Sequence, residues 1–476
     1  MIAVLYAAAM AVLVLYGVNL LWLSLLHARQ DRRRVREHTS ASVNGSWPYV
    51  TVQIPLYNES LVARRVIEAC AALDYPRSKL QIQVLDDSTD ETVSIAAREV
   101  MRWQAQGLDI EHVSRKHRQG FKAGALANGL RTAKGTLIAV FDADFLPPHN
   151  FLLRLVPEFQ DARIGMVQAR WGHLNAADSL LTRVQACALD VHFALEQVAR
   201  NSSGYFMNFN GTAGIWRAAC IAEAGGWQGD TLAEDIDLSY RAQLKGWNFK
   251  FVQQFEAPAE LPISMGALRT QQFRWAKGTA EAARKLLGHL WRSPQRLGIK
   301  LQATLHLTAH AVFPCLALAA LLHAPLVLLE ETGHGPGAVY FGCMGIGLAG
   351  LLGFFLAQSL AQRALYPDWL RRILFFPIFM AGTMALAASN SRALWQALRR
   401  YSTPFVRTPK VSANRLKVYR VPRATIIIAV EAVFAAYSIL GLAWIIIEGI
   451  WPAAVFQTFF AMAFVFVTLY NVRELR

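Results

Sequence analysis

Residues 1–26 are almost uninterrupted Ala, Val, Leu and aromatic side chains, long enough for the roughly 20 residues that cross a bilayer. A chain that begins this way does not fold as a purely soluble body. The run lacks a basic start and is followed by Arg29, Arg32, Arg33, Arg34 and Arg36. It therefore reads as a retained anchor rather than a cleaved signal peptide, with the following residues in the cytosol. Apolar runs return after about residue 290, at 310–329, 339–360, 374–388, 424–447 and 453–470. If all of them crossed, the stretch 391–423, rich in Arg and Lys, would lie outside, against the positive-inside rule. The 374–388 run is the shortest and is bracketed by Arg371, Arg372 and Arg392. It is expected to be an amphipathic interfacial helix, leaving five crossings and a cytosolic C-terminus.

Between the anchor and these later runs the chain changes character. Hydrophobic residues make up 54% of the whole, yet 17% are charged, too many for a pure membrane bundle. The formal charge of +15 follows the positive-inside pattern, so nucleic acid is not expected as a partner. Cys70, Cys187, Cys220, Cys315 and Cys343 show no paired metal-ligand spacing and are expected to be small buried hydrophobes. From residue 49 to about 170, short β-rich runs at 50–56, 81–85, 110–113, 136–141 and 165–169 alternate with helical stretches. The expected fold is α/β, with a mostly parallel sheet and crossover helices, joined to a helical membrane domain. Its expected parts are an anchor at 1–28, a cytosolic domain at 48–290 and a membrane domain at 291–476.

In a parallel sheet ligands bind at the carboxyl ends of strands, so the acids just after each run matter most. Asp142 and Asp144 lie two residues apart after a strand ending Leu137-Ile138-Ala139-Val140. Alternate strand residues share a face, so both could reach one hard cation, Mg2+ or Mn2+, that keeps sites free for phosphates. Alone, an Asp-x-Asp is more often a cap or a solvated loop. Asp86 and Asp87 end the second run, where the bland alternative is helix capping by Ser88 or Thr89 ahead of Glu91. Lys122, between Gly120 and Gly124, offers a cation and flexible backbone for a diphosphate.

Glu234, Asp235 and Asp237 open a helical stretch, and for Asp237 the preferred reading is an acid favoured by the helix dipole. Asp235 competes as a general base, because a sugar hydroxyl must lose its proton as it attacks an anomeric carbon. Gln271, Arg274 and Trp275 bring an amide, a guanidinium and an indole within five residues. Arginine neutralises charge on a departing diphosphate, and a flat indole suits the apolar face of a pyranose.

Taken in this order, the motifs resemble the processive family 2 glycosyltransferases of GT-A fold, the cellulose synthase superfamily. The resemblance covers roughly residues 49–423. It is closest to the cellulose-synthase-like A and C groups, which make mannan or glucomannan and the xyloglucan backbone. It rests on Gln53-Ile54-Pro55-Leu56-Tyr57-Asn58-Glu59, Val84-Leu85-Asp86-Asp87-Ser88-Thr89-Asp90, Ala169-Arg170-Trp171 and Phe209-Asn210-Gly211-Thr212-Ala213-Gly214-Ile215-Trp216-Arg217.

The resemblance implies roles by matched position. Asp86 and Asp87 would hold the donor's nucleoside, Lys122 its diphosphate, and Asp142 with Asp144 the nucleotide and metal. Asp235 would be the base, with Glu234 beside it. Gln271, Arg274 and Trp275 would shape the acceptor end and the diphosphate site. Phe405, Val406, Arg407, Thr408, Pro409 and Lys410 look like the family's gating loop, expected within 402–412.

Three departures stand out. Ala233 replaces the family's Thr before Glu234-Asp235, only one crossing precedes the catalytic domain, and the end at Arg476 leaves no expected room for a fused cyclic-di-GMP receptor. The leading expectation is an inverting, processive β-glycosyltransferase in a bacterial inner membrane. It would draw on UDP-glucose, favoured, or GDP-mannose, extend a growing glucan- or mannan-type polysaccharide amid membrane lipid and pass it across the membrane, and leave room for an accessory export subunit. The alternatives are a transferase adding one sugar to a membrane lipid, which Thr408-Pro409-Lys410 disfavours, and a basic membrane protein that merely binds anionic lipid or nucleic acid. The last leaves the ordered acids at strand ends unexplained.

Overall fold

The computed structural model describes residues 1–31, 46–401, 403 and 425–475. The expected gating-loop residues Phe405, Arg407, Thr408, Pro409 and Lys410 lie outside the described residues, as do Arg32, Arg33, Arg34 and Arg36.

All five β-rich runs form strands: β1 (Val50–Leu56), β2 (Leu80–Asp86), β3 (Ile110–Ser114), β4 (Leu137–Val140) and β5 (Ile164–His173). Two more, β6 (Gly214–Arg217) and β7 (Asn248–Ala259), complete a seven-stranded sheet of order β3-β2-β1-β4-β6-β5-β7. Every pairing is parallel except those of β6, which runs antiparallel to β4 and β5. Strands step outward from β1 to β3, then β4 returns to the other side of β1, so the order reverses between them. That reversal opens the crevice where doubly wound sheets hold ligands.

Alternation in β1 sets the two faces. Val50, Val52, Ile54 and Leu56 join a core with the helix Ala63–Ala71, whose Ala63, Val66, Ile67 and Cys70 fall on one helical stripe. The opposite face is polar but equally dry. Thr51 donates to Gln81 at 2.8 Å, and Gln53 donates to Gln83 at 2.9 Å, all four side chains being buried. The helix Phe121–Gly129 covers this ladder, and a Cβ at Gly129 would stand 2.5 Å from Gln53 Nε2, so only glycine permits that approach.

Among the described residues, five helices are long and apolar enough to cross a membrane: Ile2–Arg29, Ala309–Glu331, Ala338–Leu365, Ile426–Ile447 and Trp451–Glu474. The 374–388 run instead divides between the short helices Phe376–Met384 and Ala387–Leu398. The anchor meets the third of the five so closely that a Cβ on Gly17 would be 2.3 Å from the Gly350 Cα, a small-residue helix contact typical of membranes. The expected division at residues 290–291 falls at the end of one long helix, Met265–Arg292. The cysteine expectation needs correcting at one end: Cys70, Cys187 and Cys220 are buried, Cys315 is half-buried and Cys343 is exposed, and all five are free.

Candidate active site

A cavity of about 580 Å³ opens at the carboxyl ends of β1 and β4 and is lined by Asp87, Lys122, Asp142, Asp144, Glu234 and Asp235. Gln271, Arg274 and Trp275 line it from the helix Met265–Arg292. The parallel register explains the acids from β2: Leu56 pairs with Asp86, so the motifs after β1 and β2 emerge at one edge. The pairing of Asp142 and Asp144 has a different cause from the one read off the strand pattern. β4 stops at Val140, and the two acids sit in the turn that follows, where the Phe145 N–H donates to the Asp142 carbonyl at 3.0 Å.

Asp86 and Asp87 part company. Asp86 is buried off the cavity wall, with one oxygen 2.9 Å from His112 Nε2 and the other accepting the Ser88 N–H at 2.9 Å. Burial pushes its carboxyl up, but these bonds outweigh burial and hold it below the usual carboxylate range. Asp87 reaches the cavity and pairs with Arg115. Ser88 and Thr89 do not cap the next helix. Ser88 Oγ accepts from the Asn58 N–H, the Thr89 N–H donates to Asn58 Oδ1, and the Thr92 N–H donates to Asp90. The bland expectation thus gives way to a clasp between the β1 and β2 loops.

Lys122 sits among the acids, 2.6 Å from Asp142 Oδ1 and 3.9 Å from Glu234 Oε1, and it donates to the Gly211 carbonyl at 2.8 Å. Burial alone would lower its affinity for a proton, but Asp142, Glu234 and Asp235 together raise it, so it stays an ammonium. Arg274 is lowered by burial while Glu234, Asp142, Asp144 and Glu59 oppose that shift, which puts it in the same electrostatic field.

Glu234 and Asp235 lie in the first turn of the helix Glu234–Leu244, where the helix dipole favours acids. Asp237, in the same turn, is fully buried and paired with Arg241 at 2.7 Å and Lys285 at 2.9 Å, an internal strut. Asp235 Oδ1 accepts the Ile236 N–H at 2.8 Å. Burial pushes the Asp235 carboxyl up to about 7, Glu234 adding to the shift and Lys122 opposing it. Burial raises Glu234 as well, again against Lys122. Beneath them Gly211 has φ +82°, and a Cβ there would stand 3.1 Å from Asp235 Oδ2. Gly211 was legible only as part of the Phe209–Arg217 resemblance, with no role attached.

The site fits a divalent cation that brings part of its own shell: Asp142 and Asp144 offer hard oxygen donors and the local acids outnumber Lys122 and Arg274, whereas no group of three or more His, Cys, Asp or Glu that could hold a metal by itself occurs among the described residues. A Mg2+ or Mn2+ here would have to complete its shell with phosphate oxygens and water, its usual habit beside nucleotides. Trp275 lies 6.5 Å from Trp171, which in turn meets Phe193 at 5.0 Å and Phe145 at 5.1 Å, making an aromatic wall. His192, Glu196, His306 and His310 also line the cavity, and no motif announced them.

Residues 48–278 match the family described as glycosyltransferase like family 2. Probable glucomannan 4-beta-mannosyltransferase 7 of Oryza sativa subsp. japonica is 47% identical over 247 residues, 51% of this chain and 42% of that protein. Glucomannan 4-beta-mannosyltransferase 9 of Arabidopsis thaliana is 37% identical over 338 residues, 67% of this chain and 63% of that protein. The chain spans about half the length of the first of the curated relatives it matches. Among solved structures, the mannosyltransferase PcManGT from Pyrobaculum calidifontis in complex with GDP-Man and Mn2+ superposes with a TM-score of 0.56 at 20% identity. It covers 84% of this chain and 100% of its own. That likeness shows the GT-A fold.

Proposed function

From a segment, residues 48–278, that belongs to glycosyltransferase-like family 2, we propose that the chain transfers hexose units from a nucleoside-diphosphate sugar to a β-linked glycan, inverting the anomeric centre. The observation that carries the reading is Asp235: a carboxyl raised to about 7, beside Glu234 and Lys122, at the strand-end edge of a nucleotide-type crevice.

The acceptor hydroxyl attacks the anomeric carbon, its proton passes to the Asp235 carboxylate, and the bond from that carbon to the diphosphate oxygen breaks. Lys122 and Arg274 receive the charge that builds on the departing diphosphate. Asp87 binds the nucleoside, and Asp86 positions that loop through Ser88. Asp142 and Asp144 would hold Mg2+ or Mn2+, which when bound neutralises diphosphate charge. Gln271 and Trp275 meet the acceptor.

The sugar is mannose, drawn from GDP-mannose in preference to UDP-glucose, because the similar curated proteins are named glucomannan mannosyltransferases. Repeated addition is favoured over a single transfer to lipid, since the cavity runs on past Asp235 to Phe313, Thr383 and Leu386 beside the apolar helices. The protein in detergent, given each labelled donor in turn, makes a glycan that β-mannan-specific hydrolases digest. Chelation stops the reaction and added Mg2+ or Mn2+ restores it. Incorporation from UDP-glucose alone would overturn the donor assignment, and full activity in excess chelator would overturn the metal.

A further inference from the structure

The cavity has a second polar wall that the transfer step does not use. Between the helices Leu180–Val191 and Gln197–Ser202 the chain makes one π-helical turn, His192–Glu196. Such turns insert an extra residue into a helix and recur at functional sites. Here both end residues, His192 and Glu196, line the cavity.

Their chemistry is held in place by neighbours. Gln197 Nε2 donates to Asn210 Oδ1 at 2.8 Å, which fixes the Asn210 amide, so its Nδ2 donates to His192 Nε2 at 2.9 Å. His192 Nε2 is therefore the acceptor and the ring proton sits on Nδ1, 3.6 Å from Glu196 Oε2. Glu196 Oε2 also accepts from the buried Arg200 at 2.9 Å, while Oε1 has no protein partner among the described residues. Burial raises the Glu196 carboxyl, but Arg200 and His192 outweigh burial and bring it down to about 2, so it remains an acceptor. Two more cavity residues, His306 and His310, add imidazoles, and the buried Nδ1 of His310 has no hydrogen-bond partner among the described residues.

This wall suits one class of ligand. The charged group in its lining, the Glu196 carboxylate, is already paired with Arg200, so this wall offers a diphosphate no cation of its own, and its polar atoms disfavour an acyl chain. Imidazole nitrogens and a carboxylate oxygen, facing a cavity also lined by Trp171, Phe193 and Trp275, match the hydroxyls and C–H faces of a pyranose. We propose that the His192–Glu196 turn, with His306 and His310, is the subsite for the acceptor sugars that lie behind the reacting one. The proposal rests on the transferase reading and adds the residues that grip the chain being extended.

The test uses the full chain in detergent, β-1,4-linked manno-oligosaccharides of increasing length as added acceptors, and GDP and UDP binding as a separate readout. His192→Phe keeps the ring against Phe193 but removes its polar atoms, and Glu196→Gln removes the charge. Each is expected to raise the KM for the longer oligosaccharides by about 10-fold, the loss of one good hydrogen bond. The KM for a monosaccharide acceptor and the nucleoside-diphosphate affinity stay as in the parent. Glu196→Gln leaves Arg200 without its carboxylate, so if that variant melts early, His192→Phe carries the test. If His192→Phe also melts early, His310→Phe, which removes the buried ring nitrogen from the same wall, must show the same rise. An unchanged KM in a folded variant overturns the subsite, as does a matching loss of nucleoside-diphosphate affinity, which would assign these residues to the donor. If the parent transfers no sugar from either donor, the transferase reading fails instead, so the two failures are distinguishable.

Discussion

The α/β domain and the helical region both bury polar side chains, but to different ends. In the domain they pair along neighbouring strands, as Thr51 does with Gln81 and Gln53 with Gln83, and they fix register between segments thirty residues apart. In the helical region they tie the long apolar helices to the α/β domain. Arg269, on the helix that carries Gln271, Arg274 and Trp275, pairs with Glu431 at 2.8 Å and Asn471 at 2.9 Å, while Glu474 accepts from the start of that helix. Asp190 accepts from Gln362 at 2.9 Å and sits 3.1 Å from His173 Nε2. Strand pairs make a sheet rigid within itself. Helix ties make the position of the active-site helix depend on the membrane helices.

The largest effect should come from cutting a helix tie. Glu431→Ala leaves Arg269 buried without its carboxylate, a loss of about 3–5 kcal/mol, read as an earlier thermal transition in detergent. A variant melting with the parent would show that Arg269 finds compensation from Asn471 alone, and the contrast between the regions would shrink. Next comes the chemistry at the sheet edge. Asp235→Asn keeps the shape but cannot take the proton, so transfer should fall by roughly 100-fold or more with nucleoside-diphosphate binding barely changed. Near-normal transfer would move the base to another residue.

A smaller effect separates the same residue by pH. A base with its pKa raised to about 7 is largely protonated below that pH and idle there. Transfer should accordingly climb several-fold between about pH 6 and 8 and then level off. A rate that is flat over that window, or that falls, contradicts the raised carboxyl. The smallest effect belongs to the domain surface, where Glu68 pairs with Arg64 at 3.0 Å and Arg102 at 2.8 Å, side chains between 36% and 64% exposed. Glu68→Gln should cost less than about 1 kcal/mol, visible as a melting shift small beside that of Glu431→Ala.

Most of the acid constellation was legible in the sequence. β2 alternates Leu, Ile and Val with Gln before it ends at Asp86, β4 is an apolar run that stops two residues short of Asp142, and a parallel sheet delivers such ends to one edge. Two details were not. Asp142 and Asp144 sit in a turn closed by a backbone bond rather than on a strand face, and Asp86 turns away to His112, a side-chain partner that sequence spacing does not name.

The sequence by itself determined the two-part build: five apolar helices around an α/β segment with its acids at strand ends. Hydropathy and strand alternation are local properties, read from residues that are neighbours in the chain. Only the tertiary structure decided that Lys122 lies between Asp142 and Glu234, that Gly211 underlies Asp235, and that His192, Glu196, His306 and His310 share one cavity with them. These groups come from segments up to nearly two hundred residues apart in the sequence, and helix packing, which has no local code, sets the distances between them.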